Sequence, residues 1–404
     1  MTAPFIGSEV TPLRTVMVHR PGLEIARVTP DNREALLFDD LLWLERAQEE
    51  HDRFVDLLRG RGVEVVYFED LLTDCLQDEG LRGDLIDAVF TPGRCGPRVS
   101  DRMRVALREA PVAAVRQVLI GGLIESELAE WGVDSVFAQV AADRFHYVLR
   151  PLPNLLFMRD NAAWVGRGLV RSVLAYPARE LEPLFVETIY RNHPRFAGRD
   201  FPVWFGADGD DVFPATIEGG DLLVVSENVL VVGLGERTSP AAVEMLARRL
   251  FRSSETNRIV AIHLRKHRSV MHLDTVFTMV DVDKFNVFPG LLERVDVHVI
   301  APGTDRPLSV THHEDLSDAL RRTMGIDPVF IPTGGDAIGR LREQWDDGNN
   351  TLAVAPGVVI AYARNRETNR RLGDSGVEVL ELDSSELGRG RGGSRCMTQP
   401  ILRS

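Results

Sequence analysis

The chain of 404 residues is 44% hydrophobic and 26% charged, with a net charge of −13. That length supports a large core, and the acidic balance argues against a nucleic-acid partner. The three cysteines, Cys75, Cys95 and Cys396, are too few and too irregularly spaced for a disulfide framework or a zinc cluster. Met1 to Pro12 lacks the basic-then-apolar pattern of a signal peptide, and no run of 18 apolar residues is long enough to span a membrane. A cytoplasmic protein is therefore expected.

In chain order, Leu13 to Val18 reads as a strand ended by the turn signal His19-Arg20-Pro21-Gly22. Leu41 to Leu58 has apolar residues at helical spacing, Gly60 and Gly62 close it, and a strand over Val63 to Phe68 follows. From about Leu71 to Tyr147, β-branched runs are scarce. Asp84 to Val89, Ser100 to Glu109 and Pro111 to Glu130 read as helices, with Ser100 as an N-cap and Pro111 in a first turn. This stretch is expected to be a helical insertion packed as a small bundle.

From Pro151 onward one pattern recurs. Strand–turn–strand units are expected at Leu155 to Tyr176, Asp221 to Gly233, His272 to Phe288 and Thr351 to Tyr362. Helices follow several of them, over Glu180 to Arg191, Pro240 to Phe251 with Ser239 as cap, Asp315 to Met324, and Glu367 to Leu372. Later strands are expected at Val295 to Ile300, Val329 to Ile331 and Val377 to Leu382. The unit is strand–strand–helix–strand, and its recurrence points to a radial, pseudo-symmetric α/β array.

Each unit carries polar residues before or in its first strand. Asn154 and Asp160, Glu218 and Asp221, His272 and Asp274, and Asn349 and Asn350 hold equivalent places. Arg159–Asp160 reads either as a structural ion pair or as part of a site. Glu218-Gly219-Gly220-Asp221 reads as a strand-entry turn with solvated acids, or as paired site carboxylates. A strand's period of two puts His272 and Asp274 on one face, which suits either a satisfied core histidine or a general base with its carboxylate. No further His or Cys stands at ligand spacing, which disfavours a metal.

Near the C-terminus, Gly388-Arg389-Gly390-Arg391-Gly392-Gly393-Ser394-Arg395-Cys396 is a flexible basic tail or an activated thiol. Its glycines permit positive φ and close approach, and its arginines would favour the thiolate. Taken jointly, a candidate thiolate, a candidate base and several carboxylates suggest nucleophilic acyl or amidino transfer to a cationic substrate. A guanidinium is a planar fork of donors that carboxylates bind well. A peptidase would instead need an oxyanion hole.

The ordered motifs PLPNLLFMRD, IEGGD, GERTS, MHLDTVFT, REQWDDGNN and GRGRGGSRCM resemble those of bacterial arginine deiminases. SEVTPLRTVMVHRPG and LLFDD…EHDRF near the N-terminus are also similar to that family, so the resemblance runs from about Ser8 to Arg403. It implies the guanidino-group-modifying superfamily fold, a five-bladed propeller of ββαβ modules. Residues 1–70 and 148–404 would form the catalytic α/β propeller and 71–147 the inserted α-helical domain. It implies Cys396 as nucleophile, His272 as general acid/base, and Asp160 and Asp274 as the carboxylates that grip the guanidinium. Glu218 would assist beside His272, and Asp221 would orient that histidine. Asn154, Arg179 and Arg237 would hold the substrate α-carboxylate, Phe157 would line the channel, and Arg391 would lie in a loop that closes over the site.

The implied reaction is hydrolysis of L-arginine to L-citrulline and ammonia, with no cofactor or metal. Met158 and Gln399 depart from the family, standing where relatives often have a small polar residue and a second cysteine. Close alternatives are an agmatine or peptidyl-arginine deiminase, a methylarginine hydrolase or an amidinotransferase. A non-catalytic arginine-binding protein is a further one, against which the Cys396, His272 and Glu218 set argues. The oligomeric state, homo-oligomer included, is not legible in the sequence.

Overall fold

A computed structural model describes residues 3–133, 142–196, 200–207, 212–293 and 295–404. The fold is α/β. Among the described residues six sheets form, and five of them share one strand order. In each, a first strand runs antiparallel to a second, and the second runs parallel to a third that returns after a helix. Ala162–Val165, Gly168–Arg171 and Val203–Phe205 form one such sheet, crossed over by the helix Glu182–Asn192. Leu222–Ser226, Val229–Leu234 and Arg258–His263 form the next, with the helix Pro240–Ser253. Phe277–Met279, Lys284–Val287 and Val329–Pro332 form another, and Leu352–Ala355, Val358–Tyr362 and Glu378–Leu382 a further one.

The remaining sheet joins the two ends of the chain. Gln399–Arg403 runs antiparallel to Leu13–Val18, which is parallel to Glu64–Tyr67 beyond the helix Leu44–Gly60. The helices are started by side-chain caps where the sequence supplies them: Ser239 accepts from Ala242 N–H, and Asp315 from Asp318 N–H. Strands such as Ala162–Val165 and Val229–Leu234 are buried on both faces, so they read as continuous apolar runs rather than alternating ones.

Several expected elements differ. The helix expected from Ser100 starts at Pro97, and Ser100 is buried within it, with Oγ donating to Pro97 O. Proline suits the first turn, so it sets that start. The helix expected over Pro111 to Glu130 ends at Gly121, where Gly122 adopts φ +76°. Leu123–Ile124 then pairs with Tyr147–Leu149 as a two-stranded sheet. Part of the expected insertion, residues 134–141, lies outside the described residues.

The Arg159–Asp160 pair does not lie in a strand. Pro153–Leu156 and Met158–Asn161 are 3₁₀ turns, and the strand starts at Ala162. Likewise Leu273–Thr275 is a 3₁₀ turn and the strand starts at Phe277, so His272 and Asp274 do not owe their placement to strand alternation. In both places buried polar side chains bond across modules, and a turn lets consecutive residues point to different partners where a strand would not.

Candidate active site

The polar residues of all five units sit in the turns just before a first strand. Asn154 to Asp160 precede Ala162, Glu218 to Asp221 precede Leu222, and His272 to Asp274 precede Phe277. Asp347 to Asn350 precede Leu352, and Arg391 to Cys396 precede Gln399. These turns converge. Asn154, Phe157, Asp160, Arg179, Arg237, His272, Arg391 and Cys396 line one enclosed cavity of about 20 Å³. That is room for about one water molecule.

Glycine permits the close approach. A Cβ on Gly219 would lie 2.0 Å from Arg159 O, and one on Gly392 would lie 2.2 Å from the Phe157 ring. The left-handed residue of the Cys396 loop is Arg391, at φ +63°, and not one of its glycines. The glycines there therefore serve proximity rather than positive φ.

His272 is buried between two acids. Its Nε2 donates to Glu218 Oε2 (2.7 Å), and its Nδ1 is 3.6 Å from Asp160 Oδ1. Burial alone would depress the imidazole, but Asp160 and Glu218 outweigh it and hold the group up at about 9. Glu218 also accepts from Arg237 Nη1 (3.2 Å) and from Ala175 N–H (2.9 Å). Burial would raise this carboxyl, yet Arg237 and His272 bring it down to about 2. Glu218 and His272 are thus a carboxylate–imidazolium pair.

Asp221 does not touch the imidazole. Its Oδ1 accepts from Leu273 N–H (2.8 Å) and its Oδ2 from Thr238 Oγ1 (2.6 Å). It fixes His272 through the backbone of the next residue. Burial pushes Asp221 up to about 7.

Cys396 lies against Asp274 and Asn350. Its Sγ is 3.6 Å from Asp274 Oδ2 and accepts from Asn350 Nδ2 at 3.0 Å, while its N–H donates to Asn350 Oδ1 at 2.9 Å. Burial pushes the thiol well above its ordinary range, and Asp274, Asp160 and Asp347 push it further. The loop's arginines do not produce a resting thiolate. Arg395 opposes the rise, but its guanidinium faces Glu9 (3.1 Å) and Asp274 (2.7 Å).

Asp160 and Asp274 are held in the same way. Asp160 Oδ2 accepts from Arg179 (2.6 Å), and Asp274 Oδ2 from Arg395 (2.7 Å). The Oδ1 of each is buried with no hydrogen-bond partner among the described residues. Arg159 turns away from its neighbour Asp160 toward Glu9, at 3.7 Å, and so is not its ion-pair partner.

The arginines differ in how far they are engaged. Arg179 is saturated by Asp160, Glu182 and the Asn154 carbonyl. Arg237 stacks 4.5 Å from the Tyr176 ring and keeps an unpartnered Nε. Arg391 lies 3.6 Å over the Trp345 ring, and none of its three guanidinium nitrogens has a hydrogen-bond partner among the described residues. Asn154 Nδ2 donates to Leu36 O (2.8 Å), and Phe157 stacks on Phe38. Of the two departures from the family pattern, Met158 is fully buried, and Gln399 accepts from Tyr190 Oη and donates to Ala162 O.

Sequence reasoning did not single out Asn350 for the thiol, Arg395 and Glu9 for Asp274, or Glu182 for Arg179. Asn350 stands in the REQWDDGNN motif at the place equivalent to the other polar residues, and that equivalence was the available signal. Glu9 carried none. The group Asp160, Glu218 and His272 has its donor atoms close enough to hold a metal ion. The 2.7 Å hydrogen bond between His272 and Glu218 already uses the facing atoms.

A family model described as arginine deiminase matches residues 34–403. An arginine deiminase of Bacillus cereus (strain B4264) is 43% identical over 406 residues, covering 98% of each chain. That of strain ATCC 10987 is 42% identical at the same coverage. Among solved structures, an amidinotransferase from Microseira wollei matches with a TM-score of 0.56 at 14% identity, covering 99% of this chain and 97% of the other. A citrulline complex of a DDAH mutant from Pseudomonas aeruginosa matches with a TM-score of 0.50 at 14% identity, covering 96% and 98%. These two likenesses concern the fold alone. Some further solved chains are matched over only 31% of their length, with a TM-score of 0.44.

Proposed function

The chain belongs to the arginine deiminase family and is a hydrolase of the guanidino C–N bond, and we propose that the turns around Cys396 carry that reaction on L-arginine. One observation carries the assignment of roles. Two buried carboxylate oxygens make no hydrogen bond among the described residues, Asp160 Oδ1, which faces His272 Nδ1 at 3.6 Å, and Asp274 Oδ1, whose partner oxygen Oδ2 lies 3.6 Å from the thiol. Leaving such acceptors unsatisfied is costly. A planar cation with several N–H donors supplies both, and a guanidinium is that cation.

The chemistry follows from the charges. In the free site His272 is protonated and the thiol is neutral, so the nucleophile is not yet armed. The incoming guanidinium offsets the carboxylates that raise the thiol, and so favours the thiolate when the electrophile is in place. The thiol loses its proton to solvent, and Cys396 Sγ then adds to the guanidinium carbon as the C=N π pair moves onto nitrogen. The C–N bond to the departing nitrogen breaks as His272 gives it a proton, releasing ammonia. The resulting S-alkylthiouronium keeps its positive charge beside Asp160 and Asp274. His272, now neutral, takes a proton from water as the oxygen adds to the same carbon. The C–S bond then breaks, and citrulline and the thiol leave. No cofactor enters this sequence.

At the other end of the cavity, Asn154, Arg179 and Arg237 are assigned to the α-carboxylate. Arg237 and Arg391 have nitrogens without partners, and Arg179 must exchange a bond to Asp160 or Glu182 to contribute. Phe157 forms an apolar wall between the two ends. Arg391 closes the loop over the bound molecule.

The five like-ordered sheets are read as blades of a pseudo-fivefold propeller comprising 1–70 and 148–404, with 71–147 as an inserted helical domain. Successive helices between Phe68 and Gly121 support the second part of that reading. Three free cysteines suit the reducing cytoplasm.

Citrulline release should be measured from arginine, agmatine and methylarginine in parallel, with Cys396→Ala and Asp160→Ala beside the wild type. Arginine should be the preferred substrate, Cys396→Ala should be inactive, and Asp160→Ala should chiefly lose substrate binding. Agmatine turned over as well as arginine would overturn the carboxylate assignment. An active Cys396→Ala would overturn the covalent route.

A further inference from the structure

On one face of the second sheet, three histidines and an aspartate are brought together by strand register. This sheet has two more strands than the others share, a hairpin of Val297–Pro302 and Leu308–His313 added beside Arg258–His263. Ala261 pairs with His298, and His298 pairs with His312. Alternation then places His263, two residues after Ala261, on the same face as His298 and His312. Asp296, two residues before His298, joins that face, and its carbonyl accepts from His263 N–H (2.9 Å).

The side chains are crowded. The His263 and His298 ring centroids are 5.3 Å apart, and those of His298 and His312 are 5.2 Å apart. Asp296 Oδ1 lies 3.0 Å from His312 Nε2 and 3.6 Å from His298 Nδ1. Ligand atoms of His263, Asp296 and His298 all lie within 4.8 Å of one another. His298 Nδ1 is itself buried and makes no hydrogen bond among the described residues.

We propose that His263, Asp296, His298 and His312 form a surface site for a divalent transition-metal ion, Zn²⁺ being the one they fit best. Neutral imidazole is the form that binds metal. Zinc–nitrogen bonds of about 2.0–2.1 Å put neighbouring tetrahedral ligand atoms roughly 3.3 Å apart, close to the Asp296 separations. Imidazole and carboxylate together suit zinc better than the hard cations, which prefer all-oxygen sites. Its position gives the site a structural role. The ion would bridge the added hairpin to the strand Arg258–His263, fastening the exposed edge strand Leu308–His313 to its sheet.

The test uses the full chain stripped with a chelator and titrated with Zn²⁺ by calorimetry. Wild type, His298→Ala, His312→Ala and Cys396→Ala are compared, the last because the thiol is another zinc ligand. Wild type and Cys396→Ala should each bind one equivalent. The histidine variants should bind at least about 100-fold more weakly, since even outer partners of a ligand contribute 10–100-fold. Hydrogen exchange gives a second readout: Zn²⁺ should slow exchange of the Leu308–His313 amides in wild type and not in His298→Ala. Arginine turnover by His298→Ala should equal that of wild type. The proposal is overturned if zinc binds equally in both histidine variants, or if wild type binds it more weakly than about 0.1 mM.

Discussion

Asn350 is the residue whose replacement reports most directly on how the thiol is armed. Its Nδ2 donates to Cys396 Sγ at 3.0 Å, and its Oδ1 accepts from Cys396 N–H at 2.9 Å. A hydrogen bond to a charged acceptor contributes about 1.5–3 kcal/mol. Asn350→Ala therefore withdraws about that much from the thiolate and nothing comparable from the neutral thiol. At 1.36 kcal/mol per pKa unit this raises the thiol by roughly 1–2 units and lowers kcat/KM about 10- to 100-fold. The buried Cys396 N–H also loses its acceptor, which costs about 1–3 kcal/mol of stability. Asn350→Asp separates the two effects. It keeps the acceptor, so stability should be largely retained, but it places a carboxyl beside Sγ, so the rate should fall further than in Asn350→Ala. The assay is citrulline formation, paired with the pH dependence of iodoacetamide alkylation read on the Cys396 peptide by mass spectrometry. Asn350→Ala with kcat/KM within about twofold of wild type and an unshifted alkylation profile would refute this account of the thiol.

Other outcomes follow from the same geometry. His272 must be protonated to release ammonia, so kcat should fall as pH rises through the imidazole pKa, about 9 in the free site and lower once the substrate cation is beside it. Glu218→Gln removes a partner that raises this pKa, so a pH–rate profile should show the alkaline limb at least about one unit lower. Arg395→Met strips the cation from Asp274 and leaves Glu9 with only Arg159 at 3.7 Å, and guanidinium denaturation should show a loss of roughly 3–5 kcal/mol, because a buried carboxylate loses its ion-pair partner. Trp345→Ala removes the ring under Arg391. If that contact helps to hold the loop shut, Cys396 in the substrate-free enzyme should alkylate about 2- to 30-fold faster, the equivalent of 0.5–2 kcal/mol.

Much of the scaffold was legible in the residues. Leu13–Val18, Val229–Leu234 and Val358–Tyr362 are apolar runs bounded by turn residues, and Ser239 marks a helix start whatever surrounds it. The edge strand Leu308–His313 was not among those expected. Leu308–His313 is mostly exposed, so its sequence, LSVTHH, carries no run of apolar residues to announce it.

The sequence by itself singled out the candidate side chains for the chemistry and their equivalent points in a repeating unit, because residue type and spacing are local properties of the chain. The tertiary structure alone decided which atom faces which. The Arg395–Glu9 pair joins residues 386 apart, and the Cys396–Asn350 pair joins residues 46 apart. Arg179 was expected at the substrate carboxylate and is found bonded to Asp160. The arginines of the Cys396 loop were expected to make a thiolate, yet buried carboxylates from other units set that field. Such contacts depend on how five turns from separate modules register at one point, and on the burial that makes each unpaired charge costly there. Neither quantity resides in any one stretch of sequence.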